Sequence, residues 1–222
     1  MVSGPAVSVA LLPTSPKDLS PTTGKLFRSN EINVQNSIDP FYMEDGGEEV
    51  SLWGSFRGIY AIELADDGLS LKEGVAPQQV AGTAYEGTYI HKKDGHYYFF
   101  ASVGSCCEGL KSTYTTVVGR SDKLFGPYLD KQGGSMMDNR HEVLIHKSDA
   151  FVGTGHNSEI VTDNAGNDWF FYHAVSVKHP EGRVLMLDKN LLGRRMAYGK
   201  GFRGIRRGRS TGVLMPVGMS RL

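Results

Sequence analysis

Three polar side chains open three similar stretches of the chain: Asp39, Glu86 and His156. Each is followed by an apolar stretch, then by a turn rich in Asp and Gly or Asn, and then by an aromatic stretch. Carboxyl groups can donate or accept protons in general acid–base catalysis, and a neutral imidazole can ligate a metal ion. A single Asp or Glu at a strand start is usually a turn or surface residue, so the chemistry depends on whether the three come together.

The three stretches have the pattern of β-hairpins. The first two, Asp39 to Ser55 and Glu86 to Ser102, have the same length and start 47 residues apart, and the third, which starts at His156, begins 70 residues after the second. Further strands are predicted at 58–64 and 113–120. A period near about 45 residues with about four strands is typical of a β-propeller blade.

The repeat predicts where the polar residues lie. The innermost strand of each propeller blade lines the central channel, so Asp39, Glu86 and His156 are expected to face one channel. Two alternatives stay open: Asp39 caps a turn before Pro40, and His156 is only hydrogen-bonded to its neighbours. His173 lies within an aromatic stretch and is expected in the core.

The composition favours an all-β protein of many short strands. Among 222 residues there are 28 Gly and, counting Tyr, Phe and Trp together, 22 aromatic residues. The formal net charge is zero, so the whole chain offers no long-range attraction for nucleic acid or an anionic membrane. No apolar run approaches the about 20 residues that span a bilayer. The first residues lack the pattern of a secretory signal, which leaves the compartment open.

The two cysteines, Cys106 and Cys107, are adjacent. Consecutive Cα atoms are about 3.8 Å apart, whereas disulfides usually join Cα atoms about 4.4–6.8 Å apart. Two free thiols in a tight loop are therefore expected, because a disulfide between neighbours requires strain.

Several motifs combine into a specific pattern. They are Asn36-Ser-Ile-Asp-Pro40, Trp53-Gly-Ser-Phe-Arg-Gly-Ile59, Glu86-Gly-Thr-Tyr-Ile90, Phe100-Ala-Ser-Val-Gly-Ser-Cys-Cys-Glu-Gly109, Ser112-Thr-Tyr114, Val118-Gly-Arg-Ser121, Gly126-Pro-Tyr128 and Gly155-His-Asn157. Over about 24–189 the chain thereby resembles glycoside hydrolase family 43, the arabinanase and arabinofuranosidase/xylosidase group, and most closely its endo-α-1,5-L-arabinanase-like members.

The resemblance implies a five-bladed propeller that hydrolyses glycosidic bonds with inversion by means of three carboxyl groups. Glu86 falls on the general acid, the proton donor. Asp39 falls on the carboxylate that tunes the pKa of the acid and orients it. The base would be an Asp on the first blade, well upstream. His156 falls on a histidine that helps to hold a metal ion, usually calcium with water. Since calcium prefers oxygen ligands, this histidine would act mostly through bound water.

The resemblance also implies an oligo- or polysaccharide substrate, most closely plant arabinan. The zero net charge and the lack of a long apolar run predict neither nucleic acid nor membrane as a partner. Family members are often secreted or periplasmic. Trp53, Phe56 and Tyr89 could stack on sugar rings, although buried packing is an equal alternative. The candidates for substrate binding are Asn36, Ser37, Trp53, Ser55, Phe56, Tyr89, Cys106 and Cys107.

The expected organisation has three parts. Residues 1–23 read as an irregular or misassigned segment, 24–189 as a partial glycosidase propeller of about three blades, and 190–222 as a disordered or misassigned tail. The tail holds seven Arg and one Lys without Asp or Glu, which can favour nucleic acid, but it has no recognisable binding motif. No stretch before Asp39 supplies the general base, so this chain by itself is expected to have little hydrolytic activity. A non-catalytic carbohydrate-binding propeller and a β-xylosidase are the alternatives.

Overall fold

The computed structural model describes residues 6–8 and 25–189, and in these residues the fold is all-β, as predicted. The helical segments described are two three-residue 3-10 turns, Gly109–Lys111 and Met136–Asp138. The strands in chain order are β1 (Ala6–Ser8), β2 (Lys25–Arg28), β3 (Phe41–Asp45), β4 (Glu48–Trp53), β5 (Ile59–Glu63), β6 (Gln78–Ala81), β7 (Glu86–Lys93), β8 (His96–Val103), β9 (Thr115–Ser121), β10 (Glu142–Ile145), β11 (Phe151–Gly155), β12 (Ile160–Thr162), β13 (Asp168–Ser176) and β14 (Arg183–Lys189).

The strands form three hydrogen-bonded groups. β1 and β2 form a two-stranded ribbon, and β3 to β6 form an antiparallel sheet in chain order. In the third group, β7 to β10 are antiparallel neighbours in chain order. β14 pairs along β13, whereas β11 and β12 share the other edge of β13. A parallel contact between Thr115 and Thr154 joins these two halves into one eight-stranded sheet.

The predicted hairpins form because their turns contain residues that accept a left-handed backbone. Gly46 and Gly47 connect β3 to β4 with φ of 63° and 89°, and Asp94 and Gly95 connect β7 to β8 with φ of 52° and 78°. Two-residue turns with both φ values positive match the twist of the paired strands. The third hairpin, β12–β13, uses a longer turn in which Asp163 accepts hydrogen bonds from backbone N–H groups.

The core lies between the sheets, and β8 supplies side chains to two parts of it. Successive side chains of a strand point to opposite faces. Phe99 packs with Leu52 and Ile59 of the β3–β6 sheet, whereas Phe100 packs with Phe170 and Tyr172 of β13. The sheet around β8 is therefore covered on both faces by its neighbours.

The predicted divisions at residues 23 and 189 stay predictions. Within 1–23 the structure describes only β1, which pairs with β2 at the start of the interior. The basic stretch 190–222 lies outside the described residues. Among the residues that the structure describes, no helix is long and apolar enough to cross a membrane.

Candidate active site

Unusual backbone conformations occur at the predicted site residues. Asp39, just before β3, and His156, just after β11, have φ of 53° and 49°. Positive φ is uncommon outside glycine, and Asn, Asp and His tolerate it best. Gly87, directly after Glu86, has φ of 60°. In each of the three repeats, a residue with a left-handed backbone conformation therefore lies at, or directly after, the polar residue that opens the repeat.

The structure brings these positions together. The backbone N–H of Gly87 donates to Oδ2 of Asp39 at 3.1 Å. A Cβ atom on Gly87 would lie 3.1 Å from Nδ1 of His156, so glycine permits the close approach of that imidazole. Glu86 pairs with Ser102 of β8, and the hydroxyl of Ser102 accepts the N–H of His156 at 2.8 Å. The predicted convergence of Asp39, Glu86 and His156 is therefore present.

The carboxyl group of Glu86 is held on both oxygens. The hydroxyl of Ser55, in the loop after β4, donates to Oε2 at 2.9 Å. The phenol of Tyr114, directly before β9, donates to Oε1 at 2.7 Å. Glu86 itself is half-buried. A carboxyl with fixed orientation and partial exposure can exchange a proton with a bound molecule.

A cleft of about 260 Å³ opens beside these residues and is lined by Asp39, Phe41, Gly87, Thr88, His156 and Asn157, among others. The side-chain oxygens Oγ1 of Thr88 and Oδ1 of Asn157 are buried without a hydrogen-bond partner in the structure. Buried polar atoms are nearly always satisfied by protein or ordered water, so these two oxygens mark places for water or a polar ligand.

Sequence reasoning missed two participants, Tyr114 and His173. The His173 ring stacks against Tyr114 and His156, with centroids 5.7 and 6.2 Å apart, so it packs directly beside the site. Burial, with contributions from Arg183 and His156, lowers the pKa of His173 to about 4. This histidine is therefore neutral near pH 7. Tyr114 lies at the end of the loop between β8 and β9. This position identifies it as a site residue only once the pairing of β9 with β11 is known.

Several substrate-binding candidates are largely buried, and their role in sugar binding stays a prediction. Trp53 has 0% exposed area and packs on Phe27, with ring centroids 4.7 Å apart. Ser37 is also completely buried, and its hydroxyl donates to the carbonyl of Val34. Tyr89 is 6% exposed, and its hydroxyl accepts the N–H of Ile160. Trp53 therefore lies wholly in the core, whereas Tyr89, although mostly buried, also lines the cleft.

Of the other candidates, Asn36 and Ser55 support the Glu86 carboxyl, and Phe56 is exposed. The Asn36 amide donates to the carbonyl of Ser55 at 2.7 Å, and Ser55 is itself 2% exposed, so both support the Glu86 carboxyl rather than open surface. Phe56 is 39% exposed, with φ of 51°. Of the three aromatic candidates, Phe56 is the most exposed.

The cysteine loop differs from the expectation of free thiols, because a disulfide joins Cys106 to Cys107. The surrounding turn is closed by local hydrogen bonds: the Ser112 hydroxyl donates to the Cys106 carbonyl and accepts the N–H of Glu108. These contacts hold the two residues in a bend. The usual range of Cα separations in disulfides does not take such a local bend into account. Cys107 is exposed and Cys106 half-exposed, so the loop is accessible from solvent.

Comparison with known proteins gives consistent relatives. The profile described as Glycosyl hydrolases family 43 matches residues 20–190. The extracellular exo-alpha-(1->5)-L-arabinofuranosidase ArbA of Cellvibrio japonicus is 35% identical over 191 residues, covering 77% of this chain and 54% of the relative. The extracellular endo-alpha-(1->5)-L-arabinanase 1 of Bacillus subtilis is 32% identical over 148 residues, covering 64% of this chain and 45% of the relative. The chain thus spans about half the length of these relatives.

A solved structure supports the same conclusion. The Cellvibrio cellulosa alpha-L-arabinanase complexed with arabinohexaose superposes with a TM-score of 0.71 at 31% identity, over 82% of this chain and 62% of that one. The all-β fold and its solved neighbour define the class, the type of fold found in glycoside hydrolases of the arabinanase kind. The chain belongs to glycosyl hydrolases family 43.

Proposed function

We propose that this chain carries the acid half of an arabinan-cleaving site and that the complete protein hydrolyses α-1,5-linked L-arabinofuranosyl chains with inversion. The observation that supports this most is the Glu86 carboxyl, held by Ser55 and Tyr114 next to the Asp39 carboxylate that binds Gly87. The relatives named as arabinanases and as an arabinofuranosidase support the choice of substrate.

In the proposed reaction Glu86 gives its proton to the glycosidic oxygen while the bond from that oxygen to the anomeric carbon breaks. A base on the other face removes a proton from water, and the water oxygen forms the new bond to the anomeric carbon. The two carboxyl groups of an inverting pair lie about 6.5–9.5 Å apart to admit this water. Asp39 would help to orient the acid, because its carboxylate is fixed by the backbone N–H of the residue directly after Glu86. We assign the base to no residue of this chain.

The architecture is part of the proposal. Each predicted hairpin belongs to one sheet unit: β3–β6, β7–β10, and β11 to β14. We interpret these as about three blades of a five-bladed ring, with the cleft beside Asp39 and His156 as part of the central channel. The base would then be supplied from a further blade.

The decisive test uses a chimera in which residues 39–189 of this chain replace the matching stretch of the Cellvibrio japonicus relative. We expect the chimera to cleave debranched arabinan, with the anomer of inverted configuration appearing first in the proton NMR spectrum, and this chain alone to show little turnover. Cleavage of xylo-oligosaccharides in preference to arabinan would favour the xylosidase alternative. Arabinan binding without any cleavage by the chimera would favour a carbohydrate-binding propeller.

We also propose that the channel holds a hydrated calcium ion near His156. No cluster of three or more His, Cys, Asp or Glu side chains suited to a metal occurs among the described residues, so most ligands would be water. The unpartnered oxygens of Thr88 and Asn157 in the same cleft fit such a hydrated ion, because calcium takes oxygen ligands. The ion would supply positive charge in the channel, while His156 would fix its position.

This assignment predicts weak, His156-dependent calcium binding. In the chimera, His156→Ala should weaken calcium binding at least several-fold from a dissociation constant of about 10⁻⁴–10⁻³ M, the range of sites with few charged ligands. Isothermal titration with calcium measures this directly. His179→Ala, at an exposed histidine outside the cleft, is the matched control. Equal affinity in the chimera and its His156→Ala variant would remove the metal role.

A further inference from the structure

Tyr114 occupies a central place in the site that the proposed reaction does not use. Its side chain is 1% exposed, and its phenol oxygen lies 2.7 Å from Oε1 of Glu86 and 3.5 Å from Nδ1 of His156. The His173 ring is stacked on the tyrosine ring with an interplanar angle of 20°. One buried hydroxyl therefore stands between the candidate acid and the candidate metal-binding histidine.

Strand pairing and a glycine bring Tyr114 to this position. The parallel contact between Thr115 and Thr154 sets the start of β9 beside the end of β11, where His156 follows. Gly155 makes room for the ring, since a Cβ atom there would lie 2.4 Å from Cδ1 of Tyr114. The ring is thus confined by Gly155 and His173, and its hydroxyl has little freedom to leave Glu86.

The phenol stays neutral and keeps its proton for donation. Burial, followed by the hydrogen bond to the Glu86 carboxylate, raises the pKa of Tyr114 well above its ordinary value. A neutral hydroxyl is both a donor and an acceptor. It can donate to the Glu86 carboxylate, or turn its proton to Nδ1 of His156 when Glu86 is protonated.

We propose that Tyr114 is a positioning residue for the acid: it orients the Glu86 carboxyl and stabilises the negative charge that develops there as the proton leaves. The inference rests on the proposed function of Glu86. Glu86 is neutral before proton transfer and anionic afterwards, so a donor aimed at Oε1 becomes stronger along the reaction. Interactions that strengthen in the transition state accelerate the chemical step. Ser55 would play the same part at Oε2.

The proposal has a signature that a purely structural role lacks. The ¹³C signal of a carboxyl group responds to the hydrogen bonds that the group accepts. In Tyr114→Phe, the Glu86 carboxyl loses one of its two side-chain donors, so its ¹³C signal should move at constant pH. Ser55→Ala removes the other donor and should also move this signal.

The first measurement uses this chain with ¹³C-labelled glutamate, in which the Glu86 carboxyl signal is assigned by its loss in Glu86→Gln. The position of that signal at one fixed pH is compared in the unaltered chain, Tyr114→Phe, Ser55→Ala and the control Tyr85→Phe. Tyr85 is also a buried phenol, but its hydroxyl contacts His141 and not Glu86. We expect the signal to move in Tyr114→Phe and in Ser55→Ala and to stay in place in the control. This readout needs no turnover, so it is independent of whether the chain cleaves arabinan.

The second measurement uses the chimera. Tyr114→Phe should lower kcat on arabinan by about 10-fold or more with little change in KM. An unmoved Glu86 signal in folded Tyr114→Phe, or equal movements in Tyr114→Phe and Tyr85→Phe, would overturn the proposal. A moved signal together with a chimera that fails to cleave any glycan would leave the contact in place and refute the proposed function instead.

Discussion

Replacing Glu86 by glutamine in the chimera should reduce kcat/KM on arabinan by about 100- to 10,000-fold, the usual contribution of a general acid. Glutamine keeps the size of the side chain and can still accept the hydrogen bonds from Ser55 or Tyr114 at its carbonyl oxygen, but it cannot give a proton to the leaving sugar. The 4-nitrophenolate group of a 4-nitrophenyl arabinofuranoside leaves with little need for a proton. The hydrolysis of this substrate should therefore fall much less. The measurement is kcat/KM on both substrates.

The matched control is Glu44→Gln. Glu44 is an exposed residue of β3 and lies outside the cleft, so its variant should behave like the parent chimera on both substrates. An equal loss on arabinan and on the aryl glycoside in Glu86→Gln would show that this carboxyl is structural. It would then have no role as the proton donor.

Replacing Trp53 by alanine should cost about 3–5 kcal/mol of unfolding free energy, the range for truncating a large buried aromatic side chain. Trp53 is completely buried among Phe27, Val34, Ile62 and Leu64, and no part of it reaches the cleft surface. The indole N–H has no hydrogen-bond partner in the structure, so the side chain stabilises the fold through packing alone. Urea unfolding of this chain, followed by circular dichroism, measures the loss.

Phe56→Ala is the comparison that separates packing from sugar contact. Phe56 lies three residues further along and is 39% exposed, so its truncation should change stability by about 1 kcal/mol or less. In the chimera the same variant should raise KM for arabinan if the ring stacks on a sugar. A Trp53→Ala variant as stable as the parent, with weakened arabinan binding, would reverse the assignments of the two aromatics.

Much of the fold could be predicted from local sequence because the hairpins carry their own turn signals. Gly46-Gly47 and Asp94-Gly95 fix two turns, and the alternation of side chains around them fixes which residues enter the core. The repeat then predicts that Asp39, Glu86 and His156 meet. These predictions rest on spacings within and between similar units, which the sequence displays directly.

The remaining features depend on contacts between distant segments. Tyr114 reaches Glu86 because β9 and β11 pair in parallel through Thr115 and Thr154. No local sequence pattern predicts that pairing. Trp53 and Phe56 lie in one motif, yet one is buried and the other exposed, since the chain leaves β4 after Trp53 and bends over residues 55–57. The disulfide between Cys106 and Cys107 likewise depends on how the loop closes, which the separation of adjacent Cα atoms does not reveal.

The position of Ser102 affects how the site responds to thermal motion. Its backbone pairs with Glu86 in β7, and its buried hydroxyl accepts the N–H of His156. Glu86 and His156 are therefore both attached to the same residue of β8. β8 is packed on both faces through Phe99 and Phe100. A small displacement of this strand carries the carboxyl and the imidazole in the same direction. We therefore expect the backbones at Glu86 and His156 to move together when β8 moves.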